Sequence, residues 1–131
     1  VTPRQRTVLG WLPALVLFAT IFVLSAQPAL PSPPSLNDKQ AHALTYGVLA
    51  VLCLMGLTGW RWRRIAGASL LAALVIAVLY GVSDEIHQAF VPGRTPDVAD
   101  VAADAVGAAI ALLAAWAWAI LLRRRSSFPR P

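Results

Sequence analysis

Four stretches of the chain, about 8–25, 40–59, 65–83 and 105–122, contain no Asp, Glu, Lys or Arg. Each approaches the ~20 residues that a helix needs to cross the hydrocarbon of a bilayer. Polar positions gather at the ends of these stretches instead of alternating through them. The pattern therefore predicts four transmembrane helices, at about 8–25, 38–59, 65–88 and 96–122, in an all-α membrane bundle. The first stretch shares features with a signal peptide, since Arg4 and Arg6 precede it and Leu24-Ser25-Ala26 resembles a cleavage site. The length of its apolar run favours a retained span.

Residues that start and stop helices support these bounds. Asn37, with Gln40 three residues on, forms a capping box at the head of the second helix. Val91-Pro92-Gly93-Arg94 reads as a tight turn. After it, Thr95 is expected as N-cap of the fourth helix, Pro96 as its first helical residue and Asp97 as a complement to its dipole. The tract from Pro28 to Pro34 is expected to be extended, within a loop at 27–36. Small residues recur every fourth position as Ala99, Ala103, Gly107, Ala111 and Ala115, and again as Ala73, Ala77 and Gly81. Such ridges let transmembrane helices approach closely.

Composition sharpens the class. Apolar residues make up 58% of the chain and charged residues only 13%, far from the balance of a water-soluble domain. One domain over 1–131, closed by a basic tail at 123–131, accounts for the whole pattern. The formal charge of +5 comes from placement: nine of the eleven basic residues lie at the amino end, between the second and third helices, or at the carboxyl end. Four spans put these three places on one side, and the positive-inside rule makes that side cytoplasmic, with both termini there. Arginines beside spans, with Trp60 and Trp62 among them, are membrane anchors and call for no nucleic-acid partner. The lone Cys53 cannot form an intrachain disulfide and suits a small apolar filler.

All six carboxylates and both histidines fall on the opposite, outer side. On the second helix Lys39, His42 and Tyr46 share a face at i, i+3 and i+7; on the third, Asp84, His87 and Gln88 share one; on the fourth, Asp97, Asp100 and Asp104 repeat the first spacing. Asp104 weighs most, because two turns inside a span an ionised group costs several kcal/mol unless paired or wetted. It is expected to face the bundle interior. Glu85, adjacent to Asp84, is expected to point elsewhere and stay outside the cluster. The strongest candidates are Asp84, Arg94, Asp100 and Asp104.

These strings carry a resemblance. Asp38-Lys39-x-x-His42-x-x-x-Tyr46, then Asp84-Glu85-x-His87-Gln88-x-Phe90-Val91-Pro92-Gly93-Arg94 followed by Asp97, Asp100 and Gly107, are similar to the VanZ-like family of small bacterial membrane proteins, as is the Ser25-Ala26-Gln27-Pro28 stretch. The chain departs from the family pattern at Asp104, where an Asn is common, and at Ala111, where a Gly is. The resemblance implies a multi-pass protein of the bacterial cytoplasmic membrane with an envelope role, since the family takes its name from a protein associated with teicoplanin resistance. It supplies no mechanism.

Three chemistries stay open for the cluster. In the first, Lys39 and Arg94 with the carboxylates bind the polar head of a lipid-linked envelope precursor or a glycopeptide-related ligand. In the second, His42, Asp84, Asp100 and Asp104 hold a divalent cation in a membrane hydrolase or transferase. In the third, Lys39 and Arg94 neutralise the acids and the cluster only ties helices together. No His-Glu-x-x-His string, nucleophile elbow or phosphate-cradling loop favours catalysis, and no cofactor is required by the sequence. The lipid bilayer is the partner the sequence implies, and a homo-oligomer is compatible with it.

Overall fold

A computed structural model of the chain describes residues 2–28 and 37–125. The described residues are helical, with no strand: α1 spans Pro3–Gly10, α2 Leu12–Ser25, α3 Asp38–Thr58, α4 Gly67–Gln88 and α5 Val98–Arg125, with a single 3₁₀ turn at Trp62–Arg64. Four segments are long and apolar enough to cross a membrane: Gln5–Ser25, Asp38–Thr58, Gly67–Gln88 and Val98–Arg125. Most of the proline-rich loop expected at 27–36, and the tail beyond residue 125, lie outside the described residues.

The spans follow the charge-free runs, with two differences at their ends. The first begins earlier than expected, because Thr2 and Gln5 form their own capping box at the head of α1. It also breaks at Trp11. Pro13 explains the break: it has no N–H to give to the carbonyl four residues back, and its ring crowds that carbonyl. The fourth span begins at Val98, later than Thr95 and Pro96 would place it. Asp97 is the residue that caps it, accepting the Ala99 N–H at 2.8 Å. At α3 the expected capping box is present, with Asn37 and Gln40 each accepting the other's backbone N–H.

Helix α3 is central. Half of its apolar window is buried, against 17% for the first span and 22% each for α4 and α5. Its core face presents Tyr46, Leu49, Ala50, Cys53 and Leu54, packed with Ala73 and Ala77 of α4 and Ala108 and Leu112 of α5. Contacts between α3 and α5 pair rising numbers on both helices, so the two run parallel: Lys39 meets Asp97 and Asp100, His42 meets Asp104, and Ala43 meets Gly107. Gly107 makes that approach possible, since a Cβ there would collide with the Ala43 carbonyl.

Outward faces are apolar where a water-soluble bundle would be polar. Leu12, Val16, Leu44, Val48, Leu71, Leu79, Ile110 and Leu113 are all more than half exposed. A continuous apolar jacket of this height requires lipid around it. The chain is a multi-pass membrane protein.

The two ends differ. At one, the Trp60 indole N–H donates to the Gly10 carbonyl at 3.1 Å and the Arg123 guanidinium donates to the Ile65 carbonyl, with exposed Arg6, Arg63, Arg64 and Arg124 around them. At the other stand the carboxylates.

Candidate functional site

The parallel ends of α3 and α5 and the antiparallel end of α4 converge at the acidic end. The first turn of α3 places Lys39 between two carboxylates of α5: its ammonium lies 2.5 Å from Asp97 Oδ2 and 2.5 Å from Asp100 Oδ1. Asp97 is exposed, Asp100 buried. The Lys39 ammonium, and then the Ala99 N–H, hold the Asp97 carboxyl below its ordinary range.

One turn deeper, His42 Nδ1 lies 3.0 Å from Asp104 Oδ1. Asp104 is 1% exposed, so the sequence expectation that it faces the interior holds in the structure. Its other oxygen, Oδ2, has no hydrogen-bond partner among the described residues. Gly81 of α4 makes room for it, since a Cβ at that position would stand 2.6 Å from Oδ2. The Tyr46 ring lies parallel to His42 with centroids 6.2 Å apart, and its buried hydroxyl faces Asp84 and Asp104. A buried carboxylate oxygen without a partner, as at Asp104, is costly.

The last turn of α4 contributes Asp84, Glu85 and Gln88, all buried. Gln88 Nε2 donates to Asp84 Oδ2 at 3.1 Å and to Glu85 Oε1 at 3.4 Å. Glu85 also accepts the Asp97 backbone N–H at 2.8 Å, which pins the start of α5 to the end of α4. Glu85 therefore belongs to the cluster, contrary to its expected exclusion. Adjacent helical residues stand only ~100° apart, so both reach a crease formed by a neighbouring helix. The Asp-Glu pair itself was the available signal.

Two expected site residues sit apart from the cluster. His87 turns to α2: its Nδ1 is 3.3 Å from Ser25 Oγ and its ring stacks on Phe22 at 4.5 Å. Arg94 donates through Nε to the Gln27 carbonyl at 3.1 Å, tying the α4–α5 loop to the end of α2. The neutralisation of the acids that the third of the open readings gave to Arg94 is replaced by this backbone contact. Tyr80 of α4 likewise turns to the first span, donating to the Phe18 carbonyl at 2.6 Å.

Among the described residues, Asp38, His42 and Asp100 each offer one ligand atom within 4.8 Å of the others. Asp38 was absent from the expected metal set of His42, Asp84, Asp100 and Asp104. Its place in the first turn of α3, one turn before His42 on the same side, is the signal that would have found it. Asp104 stands behind His42, and Asp84 is engaged by Gln88.

A family model described as VanZ/LLP1 matches residues 2–122. An uncharacterized protein of the fission yeast Schizosaccharomyces pombe is 33% identical over 103 residues, which cover 76% of this chain and 60% of that protein. The chain thus spans less than two thirds of the length of the curated relative it matches. No solved structure matches.

Proposed function

The chain belongs to the VanZ/LLP1 family, and from that premise we propose that it binds the polar head of a lipid-linked envelope component at the outer face of the membrane. What supports this reading is the continuity of two features on one helix pair. Below the His42–Asp104 contact, α3 and α5 frame an apolar groove of about 450 Å³, lined by Ala43, Gly47, Val51, Gly107, Ile110 and Ala111. A lipid chain in that groove carries its head up to Lys39, Asp97 and Asp100. Lys39 is half-exposed there and can donate to phosphate or sugar oxygens, while the carboxylates accept from hydroxyls or amines.

Orientation follows from the arginines: the end bearing Arg6, Arg61, Arg63, Arg64 and Arg123 to Arg125 is cytoplasmic and the acidic end outer. A likeness that reaches a fission yeast favours a lipid head as target over peptidoglycan itself. In a bacterial host, altered teicoplanin binding would then be a consequence of holding a lipid-linked precursor. The Asp38, His42 and Asp100 trio favours, as a second reading, metal-assisted hydrolysis or group transfer on such a lipid.

Native mass spectrometry of protein released from membranes tests the binding reading. The wild type is expected to carry a discrete lipid of one headgroup class, enriched over bulk phospholipid, and Asp100→Asn to lose it. Wild-type adducts in the proportions of the bulk membrane would overturn it.

A further inference from the structure

We propose that the outer ends of α3 and α5 form a divalent-cation site, with Asp38, His42 and Asp100 as ligands, Asp104 as the carboxylate that orients His42, and Lys39 as the cation that competes for Asp100. The inference goes beyond the lipid reading and rests on the ligands alone.

Three observations converge on it. Asp38, His42 and Asp100 bring their ligand atoms within 4.8 Å of one another from two parallel helices. His42 has one ring nitrogen held by Asp104 at 3.0 Å, which leaves Nε2 for a ligand. A carboxylate on the far nitrogen fixes the tautomer and raises the basicity of a metal-binding imidazole. The third observation is independent of the ligand spacing: Asp104, 1% exposed, leaves its Oδ2 without a hydrogen-bond partner among the described residues. A buried carboxylate that accepts from an imidazole through one oxygen and leaves the other unpaired is short of positive charge, and a cation bound at the far nitrogen of that imidazole supplies it.

The acids of this end outnumber its cationic side chains: Asp38, Asp84, Glu85, Asp97, Asp100 and Asp104 stand against Lys39 and Arg94. Lys39 spans Asp97 and Asp100 Oδ1 but leaves Asp38 outside the described ion pairs. A cation entering between Asp38 and Asp100 displaces the ammonium toward Asp97. Two carboxylates with one imidazole suit a first-row divalent ion such as Mn²⁺ or Zn²⁺ over Ca²⁺, which takes oxygen ligands alone.

Purified, delipidated protein in detergent tests this with Mn²⁺ alone, followed by loss of the free-ion electron paramagnetic resonance signal and by competition with Zn²⁺. One saturable ion per chain is expected. His42→Ala and Asp100→Asn should weaken binding by at least ~10-fold, and Asp104→Asn, acting through His42, by ~10-fold or more. Lys39→Met should tighten binding, which no unfolded variant would do. His87→Ala, a histidine held on α2, should bind as the wild type does. Absence of saturable binding in both wild type and Lys39→Met, or undiminished binding by folded His42→Ala, overturns the proposal. Because no lipid is present, either result is separate from the fate of the lipid reading.

Discussion

The two ends of the bundle differ in where they place charge. At the basic end Trp60 donates to the Gly10 carbonyl and Arg123 to the Ile65 carbonyl. Arginine heads there spread outward into the interfacial region. At the acidic end, backbone contacts from Arg94 and Glu85 are joined by the side-chain pairs Lys39–Asp100, His42–Asp104 and Gln88–Asp84, with Asp84, Glu85, Asp100 and Asp104 all buried. Contacts to carbonyls hold helices whatever the neighbouring side chain is, so the basic end tolerates change. Buried charge is costly to place and more costly to half-remove. A protein that needed only to stay folded in lipid could have built both ends like the first. The contrast lies in the cost of placing charge, which the acidic end alone bears in its buried carboxylates among the described residues.

The sharpest way to break the comparison is Asp104→Leu. It removes the carboxylate, leaves His42 without its partner inside the bundle, and puts a branched side chain against Gly81. A loss of about 3–5 kcal/mol is expected from breaking a buried pair by removing one member. Thermal unfolding in detergent and membrane abundance would register it. Asp104→Asn keeps the shape and a hydrogen bond to His42, and should cost less. Wild-type stability in the leucine variant would mean that the acidic end is no more specialised than the basic one.

Gly107→Ala probes the helix pair that presents the site. A methyl group there meets the Ala43 carbonyl, so α3 and α5 must part. Overpacking of this kind costs about 1–3 kcal/mol, and the parting should also disturb the Lys39 and His42 contacts above it. A lowered melting temperature is the expected readout. An unchanged one would show that the two backbones are not in contact.

At the basic end, Trp60→Phe removes the bond to the Gly10 carbonyl while keeping an aromatic ring at the interface. The expected loss is about 1 kcal/mol, with membrane insertion preserved. A loss as large as that of Asp104→Leu would erase the contrast between the ends.

How far the sequence carried these distinctions depends on what each contact leaves in it. The spans were legible because a bilayer forbids charge for about twenty residues, and His42 with Asp104 was legible because equal spacing put each on an inward stripe. Arg94 was not, since its acceptor is the Gln27 carbonyl, and a backbone acceptor has no residue type to betray it. His87 shares a face with Asp84 by spacing, yet the first span competes for it through Ser25 and Phe22, and helix periodicity alone cannot say which neighbour lies nearer. Asp97 was read as a dipole complement, whereas it is the cap itself, because its side chain reaches the Ala99 N–H two residues on.

The smallest expected effect concerns the exposed edge of the acidic end and turns on pH. Asp97 is held below its ordinary range first by Lys39, then by the Ala99 N–H. A carboxylate with a lowered folded-state pKa stabilises the fold above its unfolded pKa of ~3.9, and that contribution fades as pH falls through the lower folded value. Asp97→Asn keeps an acceptor for the cap but gives up the charge opposite Lys39. The wild type should therefore melt slightly higher than Asp97→Asn at neutral pH, and the gap should close only at pH values below the ordinary carboxylate range. Salt should shrink the gap at neutral pH, because Asp97 and Lys39 are both accessible to counterions. A gap unchanged by either acid or salt would assign Asp97 to capping alone, leaving Lys39 with Asp100 as its one energetic partner at the outer surface.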